Sequence, residues 1–255
     1  MTHTGQTGVV IDHDGERLLG TLFLAAGENP KPTALILHGI PGIEKNVDLG
    51  HSLRANGANA LLFHYRGCWG SSGRYNVHTI PADVAGAFEL VRSGRFPQVD
   101  PDRVFLIGHS LGGWAAVLAA AADDRIRAAA AIAAVTDPAD FPLSEPDYAA
   151  GYTPWLTGIS PVELAEQWRS LGPDLTPLEQ VARIAPRPLL IVHSRADEEV
   201  SVEHSRRLSE RAGAGSRYIE TADGNHAFSW RRLWLQEILL DWVREIGLLA
   251  ERPER

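Results

Sequence analysis

Short apolar runs alternate along the chain with longer stretches in which apolar positions recur at helical spacing. This alternation is typical of a parallel sheet whose strands are joined by crossover helices. Apolar runs predict strands over residues 33–37, 58–65, 103–107, 188–192 and 217–220. Helical spacing predicts helices over residues 46–55, 80–91, 111–122, 203–212 and 230–246. The pattern therefore predicts an α/β fold with a mostly parallel sheet.

Two segments of the chain do not fit the alternation directly. An antiparallel hairpin is predicted before the alternation begins, with strands over residues 9–11 and 18–24 around an Asp14-Gly15 turn. Residues 128–135 are rich in alanine, which favours helix. They follow a predicted crossover helix, however, so the alternation requires a strand there. We interpret residues 128–135 as a strand, and we expect Asn46 to cap the first helix.

Residues 136–183 interrupt the alternation with many prolines and aromatic residues. So long a connection is uncommon in a compact domain unless it has a function of its own. We expect an inserted cap that is partly helical over residues 161–170. The expected organisation is a single domain spanning residues 1–255, with the cap at residues 136–183.

Composition narrows the possible partners. The chain has 255 residues, with 24 Lys and Arg against 32 Asp and Glu, and its net charge is −8. Basic residues form no cluster, which disfavours nucleic acids and anionic membranes as partners. The one cysteine, Cys68, excludes an internal disulfide, and no Cys/His spacing predicts a metal or cofactor site. Without a signal peptide or an apolar run of about 18 residues, a cytoplasmic protein is expected, with a homodimer left open.

The segment Gly108-His109-Ser110-Leu111-Gly112 lies where a predicted strand meets a predicted helix. A serine in such a tight turn needs small neighbours two positions before and after it, because a Cβ there would clash. The turn directs the Leu111 N–H, at the helix N-terminus, towards an oxyanion formed at Ser110. Ser110 is therefore the candidate nucleophile.

A serine hydroxyl needs a base, and the base needs a carboxylate that orients it. His226 lies in a turn-rich loop between the last strand and the last helix, at the carboxyl edge where Ser110 is expected. Asp197 follows the strand over residues 188–192 at the same edge. The order Ser110, Asp197, His226 along the chain is the order expected of one particular fold. Alternative acids are Glu198, Glu199, Asp223 and Asp137.

The loop after the first parallel strand, His38-Gly39-Ile40-Pro41-Gly42, offers a second oxyanion donor. Proline has no N–H, so the candidate donor is the Ile40 N–H, and Pro41 stiffens the loop that presents it. Aromatic side chains suggest a substrate with an apolar acyl or aryl group of modest size, unless they only pack the cap onto the sheet. The candidate substrate-binding residues are His109, Trp69, Trp155, Tyr148 and Tyr152.

These features together resemble the α/β-hydrolase superfamily over nearly the whole chain. Within it, the chain is similar to small serine esterases and to the catalytic domains of prolyl-oligopeptidase-type serine peptidases. The resemblance implies an α/β-hydrolase fold with Ser110 as nucleophile, His226 as base and Asp197 as orienting acid. The chain departs from the relatives at Ser194, where they often have glycine. The motifs that carry the resemblance are His38-Gly39-x-Pro41-Gly42, Tyr65-Arg66-Gly67, Gly70, Ser72, Gly108 to Gly113, Asp197-x-x-Val200 and Gly224-Asn225-His226.

The predicted function is hydrolysis of carboxylic esters of small to medium acyl or aryl substrates through an acyl-enzyme on Ser110. One alternative is an aminopeptidase or amide hydrolase, and another is an acyltransferase that uses the same three residues. A third alternative is a binding module that has lost the chemistry. For a peptidase, no acidic pair stands out as the anchor of a substrate amine, and the candidates that leave this alternative open are Glu44, Glu145, Asp147 and Glu163.

Overall fold

Eight strands form one sheet in the computed structural model, which describes residues 5–251. The strands are β1 (Gly5–His13), β2 (Glu16–Leu24), β3 (Lys31–Leu37), β4 (Asn59–Phe63), β5 (Val99–His109), β6 (Ala129–Ile132), β7 (Leu189–Ser194) and β8 (Ser216–Thr221). Their order across the sheet is β1-β2-β4-β3-β5-β6-β7-β8. The β1/β2 and β2/β4 pairs are antiparallel and the others are parallel, so the predicted mostly parallel sheet with an N-terminal hairpin is confirmed.

Helices cover both faces of this sheet. They are α1 (Val47–Ala55), α2 (Ile80–Arg92), α3 (Leu111–Ala122), α4 (Pro146–Ala149), α5 (Pro161–Arg169), α6 (Pro177–Gln180), α7 (Glu203–Arg211) and α8 (Arg232–Glu245). Buried side chains of α2 and α3 belong to one core, and those of α1 and α8 belong to a second core. Within residues 5–251, no helix combines the length and the apolar character needed to cross a membrane.

The alanine-rich segment after α3 forms the strand β6, as the alternation requires. All four of its residues are buried, and it is hydrogen-bonded to β5 on one side and β7 on the other. Small side chains fit there because α3 packs closely against the sheet. Tertiary contacts therefore override the helical preference of alanine.

The first helix begins directly after Asn46, as predicted, but without a side-chain cap. Asn46 directly precedes α1, but its backbone is left-handed, with φ 56°, and its side chain makes no capping hydrogen bond. Instead, Asn46 Oδ1 accepts a hydrogen bond from Arg232 in α8. Asn46 therefore occupies the N-cap position, as expected, but its side chain bonds to another helix rather than capping its own.

Residues 136–183 connect β6 to β7 through short helical turns, α4, α5 and α6. Helix α5 begins with a capping box between Ser160 and Glu163. The indole N–H of Trp168 donates to Pro138 O at 2.8 Å, and the indole N–H of Trp114 in α3 donates to Leu175 O at 2.8 Å. The first bond therefore connects two parts of residues 136–183, and the second connects this segment to α3.

A buried ion pair fixes the loop after β4. Arg66 donates from Nε to Asp83 Oδ1 at 2.7 Å and from its backbone N–H to Asp83 Oδ2 at 2.9 Å. The Asp83 side chain is fully buried, and burial raises the pKa of its carboxyl despite the bonds from Arg66. The pair joins the loop that carries Trp69 to helix α2.

Removing one partner of this pair should destabilise the fold. Arg66→Met leaves the Asp83 carboxylate buried and unpaired, so we expect the free energy of unfolding to fall by about 3–5 kcal/mol. Denaturant unfolding measures this loss. The control Arg217→Met removes an exposed pair with Glu245 and should cost less than about 1 kcal/mol. Equal losses in the two variants would contradict the importance of burial.

Candidate active site

Ser110 stands at the junction of β5 and α3, in a strained turn. Its backbone has φ 57° and ψ −121°, which is rare for a residue with a side chain. The Ser110 N–H donates to Ile132 O of β6 at 2.9 Å, and Ser110 O accepts from the Gly113 N–H at 2.9 Å. Hydrogen bonds to the sheet and to the first turn of α3 therefore stabilise the strained backbone of Ser110.

The two glycines of the motif allow the strand, the turn and the helix to approach closely. A Cβ on Gly108 would lie 2.0 Å from Gly112 O, and a Cβ on Gly112 would lie 2.0 Å from Leu37 O of β3. No side chain fits at such distances, because the atoms in the way belong to the backbone. The close approach expected from the sequence is present at both positions.

His226 and Asp197 meet at the same edge of the sheet. His226 Nδ1 lies 2.8 Å from Asp197 Oδ2, so the imidazole donates from Nδ1 to the carboxylate. Asp197 lies in the loop after β7, and His226 lies in the loop between β8 and α8. The alternative acid Asp223 is instead bonded to Thr221 and Arg231. Asp197 is thus the carboxylate that contacts Nδ1 of His226.

The Asp197 carboxylate is buried among hydrogen-bond donors. Its Oδ1 accepts from the backbone N–H groups of Glu199 and Val200, each at 2.9 Å. Burial raises the pKa of this carboxyl, but the hydrogen bonds from His193 and His226 outweigh burial and hold the pKa below its ordinary value. The charged form therefore adds stability above about pH 4, and this contribution is lost as the pH falls through the lowered folded-state pKa.

A second histidine, His193, contacts Asp197 and was not among the residues predicted from the sequence. Its Nε2 lies 3.2 Å from Asp197 Oδ2 and 2.9 Å from Val200 O, and its Nδ1 lies 2.7 Å from Ser205 Oγ. Because Val200 O is only an acceptor, Nε2 carries the proton and Nδ1 accepts from Ser205. One signal was available in the sequence: His193 lies at the carboxyl end of β7, just before the loop that carries Asp197.

Ser110 and His226 line one cavity of about 320 Å³. No hydrogen bond joins their side chains within residues 5–251. His226 Nε2 lies 4.0 Å from Glu199 Oε2, so this carboxylate also faces the imidazole. The predicted nucleophile and base are therefore brought to one cavity, with the imidazole oriented by Asp197 on its other nitrogen.

The two candidate oxyanion donors also lie beside Ser110. Ile40 follows β3 and lines the same cavity, and Leu111 is the first residue of α3. An added Cβ on Gly39 would lie 3.4 Å from Ser110 Oγ, so the loop after β3 passes against the hydroxyl. In the described part of the chain, neither the Ile40 N–H nor the Leu111 N–H has a hydrogen-bond partner. Both groups remain free to bind an oxygen.

The candidate substrate-binding residues divide into two groups. His109 and Tyr152 line the cavity beside Ser110, together with Ile43, Glu44 and Glu199. Trp69, Trp155 and Tyr148 do not line it. Trp69 stacks on Trp155 at a ring-centroid distance of 5.7 Å, and the Tyr148 hydroxyl accepts from the Tyr152 hydroxyl at 3.1 Å.

His109 supports the loop of His226. Its Nε2 donates to His226 O at 2.8 Å, and the two rings lie 4.6 Å apart. Burial, assisted by the charge of His226, lowers the pKa of His109 to about 3. A neutral His109 therefore holds the backbone of the loop. Across residues 5–251, no group of three or more His, Cys, Asp or Glu side chains is arranged to hold a metal ion.

Comparison with known sequences relates the chain to one family. A sequence model of the prolyl oligopeptidase family matches residues 54–246, which is more than half of the chain. The uncharacterized protein YfhR of Salmonella typhimurium is 30% identical over 230 residues, which cover 86% of this chain and 74% of YfhR. The YfhR protein of Escherichia coli strain K12 is 29% identical over 224 residues, covering 86% and 72%.

Solved structures share the fold. Est1E from Butyrivibrio proteoclasticus, with bound ferulic acid, has a TM-score of 0.74 and 20% identity, with 93% of this chain and 98% of that chain covered. A thermophilic esterase from Thermogutta terrifontis, with bound propionate, has a TM-score of 0.75 and 20% identity, with 98% and 97% covered. These likenesses, together with the sheet topology, confirm the predicted α/β-hydrolase fold.

The close approach at the turn predicts a large effect of one methyl group. Gly108→Ala places a Cβ against the backbone of Gly112. We therefore expect the free energy of unfolding to fall by roughly 1–3 kcal/mol or more, since 1–3 kcal/mol is the usual cost of overpacking a core. Thermal unfolding measures it. The control Gly172→Ala meets no atom within 4 Å and should stay within about 0.5 kcal/mol of the native protein. A stable Gly108→Ala protein would refute the steric argument.

Proposed function

The chain belongs to the prolyl oligopeptidase family and is an α/β hydrolase, and we propose that it cleaves carboxylic esters of small to medium acyl or aryl substrates. One observation carries the proposal: Ser110 and an imidazole bonded to a buried carboxylate line the same small cavity. A serine hydroxyl in a strained turn, a base and an orienting acid are the parts that acyl transfer needs.

In the proposed reaction, Ser110 Oγ attacks the acyl carbon while His226 Nε2 takes the hydroxyl proton. The oxygen of the tetrahedral intermediate accepts hydrogen bonds from the N–H groups of Ile40 and Leu111, each worth roughly 2.7–4 kcal/mol in comparable sites. His226 then gives the proton to the leaving alcohol. Water repeats the sequence on the acyl-enzyme and releases the carboxylic acid.

Asp197 acts on this sequence through the imidazole. Its hydrogen bond to Nδ1 places the unshared pair of neutral His226 on Nε2, the nitrogen that faces the cavity. Its negative charge then stabilises the imidazolium that forms when Ser110 loses its proton. The depressed pKa of Asp197 keeps that charge in place at neutral and mildly acidic pH.

The shape of the cavity supports a substrate of modest size. Its volume of about 320 Å³ is at the lower end of ligand-sized cavities, roughly 300–1,000 Å³. Ile40, Ile43 and Tyr152 provide apolar contacts for an acyl or aryl group. Tyr152 comes from residues 136–183, so we assign this segment the role of a cap that forms one wall of the site.

A second candidate function is hydrolysis of short peptides or amides. Two carboxylates, Glu44 and Glu199, line the cavity, and no lysine or arginine among the described residues does so. A negatively charged cavity favours a substrate that carries an amine, as the N-terminus of a peptide does. Membership of a family named for oligopeptidases agrees with this alternative.

A panel of substrates tests the proposal and separates the two candidates. We expect hydrolysis of p-nitrophenyl acetate, butyrate and octanoate, with the shorter esters preferred, and slower release from aminoacyl-anilides. Ser110→Ala should lower kcat/KM by roughly 10⁴-fold or more, because the nucleophile is lost. The control Ser93→Ala alters an exposed serine away from the cavity and should retain full activity. Faster cleavage of the anilides would favour the peptidase, and full activity of Ser110→Ala would eliminate the mechanism.

The contact between His193 and Asp197 predicts a further kinetic effect. His193→Leu removes a donor from Asp197 Oδ2, so the carboxylate holds His226 less firmly and kcat should fall about 10- to 100-fold at unchanged KM. His193→Gln, which keeps a donor, should retain more activity.

The matched control is His204→Leu. His204 is also buried, but its Nδ1 bonds to the backbone of Thr136 and Asp137 rather than to Asp197. We expect this variant to lose stability and to keep its kcat. An equal fall of kcat in the His193 and His204 variants would mean that His193 acts only through the fold.

A further inference from the structure

The Ile40 N–H can stabilise an oxyanion only if the loop after β3 keeps it in place. One hydrogen bond acts on the peptide group itself. His38 Nδ1 lies 2.7 Å from Gly39 O and donates to it, because a carbonyl oxygen only accepts. The Gly39 C=O and the Ile40 N–H belong to one planar peptide group, so this bond also fixes the direction of the N–H. The part of the loop beyond Ile40 needs a separate support.

That support comes from Trp69, in the loop after β4. Its indole N–H donates to Pro41 O at 2.7 Å. A Cβ added to Gly42 would lie 2.6 Å from Trp69 Nε1, so the indole and the loop are in close contact. Ile40 therefore lies between two carbonyl groups that accept hydrogen bonds from side chains, Gly39 O and Pro41 O.

The backbone of Trp69 is unusual for so large a residue. Trp69 and Gly70 are the central residues of a turn that the Ser71 N–H closes by donating to Cys68 O at 2.9 Å, and their φ angles are 46° and 92°. Positive φ at both central positions favours asparagine or glycine and is unfavourable for a bulky residue. Residues strained in this way cluster at functional sites. A tryptophan in this conformation therefore points to a role for its side chain.

The loop that carries Trp69 is anchored on two sides. The buried ion pair described above connects it to α2. From the cap, the Thr157 N–H donates to Gly67 O at 2.8 Å, and the ring of Trp155 stacks on that of Trp69. The Lys45 ammonium, which comes from the loop after β3, lies 4.0 Å from the centroid of the Trp69 ring. Trp69 thus connects two fixed parts of the fold to the loop that presents the oxyanion donor.

We propose that Trp69 is a positioning residue for the oxyanion site, whose indole N–H holds Pro41 O and thereby keeps the Ile40 N–H directed at the reacting oxygen. Trp69 does not line the cavity beside Ser110, so it acts without touching the substrate. Because only a reaction that forms an oxyanion needs a fixed Ile40 N–H, this role rests on the proposed acyl transfer at Ser110. Loss of the indole N–H should lower kcat rather than substrate binding, since the oxyanion is absent from the ground state.

Two substitutions separate the indole N–H from the ring. Trp69→Phe keeps an aromatic ring but removes the donor, so we expect kcat for p-nitrophenyl butyrate to fall about 10- to 100-fold at unchanged KM. Trp69→His keeps a donor, because the imidazole has Nε2 where the indole has Nε1, and its kcat should be several-fold higher than that of Trp69→Phe. Equal kcat in the two variants, or a change in KM alone, would overturn the positioning role.

The matched control is Trp168→Phe. The indole N–H of Trp168 also donates to a proline carbonyl, Pro138 O at 2.8 Å, but neither residue lines the cavity beside Ser110. We expect this variant to lose stability in denaturant unfolding and to keep its kcat and KM. An equal fall of kcat in Trp69→Phe and Trp168→Phe would mean that the indole bond acts only through the fold, which would also overturn the role.

A transition-state analogue measures the oxyanion contact directly. Ser110 Oγ adds to the carbonyl carbon of 1,1,1-trifluorohexan-2-one, the hydroxyl proton passes to His226 Nε2, and the ketone oxygen becomes an oxyanion. We expect Trp69→Phe to raise the inhibition constant of this ketone by the same factor by which it lowers kcat/KM, and Trp168→Phe to leave it unchanged. A lower kcat with an unchanged inhibition constant would contradict the role of Trp69.

The native protein separates these outcomes from failure of the proposed function. If it cleaves neither esters nor anilides, the proposed function fails, and the role of Trp69 fails with it. If it cleaves them and Trp69→Phe retains full kcat, only the role of Trp69 fails.

Discussion

The hydrogen bond between Asp197 Oδ2 and His226 Nδ1, at 2.8 Å, is the contact on which the candidate site depends. It joins two loops that are far apart in the sequence and leave the sheet at neighbouring strands, β7 and β8. It also decides which imidazole nitrogen faces the cavity. Neighbouring contacts position both partners of this hydrogen bond. Two backbone N–H groups and His193 contact the Asp197 carboxylate, and His109 donates to the backbone of His226.

Much of this arrangement could be predicted from the sequence because the parallel sheet imposes it. Carboxyl ends of parallel strands meet at one edge, so polar residues that follow β5, β7 and β8 converge there. The turn at Ser110 could be predicted for a local reason. The surrounding backbone leaves no room for a side chain at positions 108 and 112, so both residues must be glycine. Even β6, whose alanines favour helix, followed from the order of elements.

Other features depend on side-chain contacts that no local pattern encodes. Asn46 looked like a helix cap, but it bonds to Arg232, which lies far along the chain. The contact of His193 with Asp197 follows from the course of the loop after β7. Trp69 and Trp155 do not line the Ser110 cavity; their rings stack on each other, and the indole N–H of Trp69 donates to Pro41 O.

The most direct test of the account is covalent labelling with a fluorophosphonate, followed by peptide mass spectrometry. An activated serine attacks phosphorus as it attacks an acyl carbon, and a serine without a base does not. We expect one labelled residue, Ser110, and a labelling rate that falls by orders of magnitude in His226→Ala. A folded protein that is not labelled, is labelled elsewhere, or reacts equally fast without His226 would contradict it.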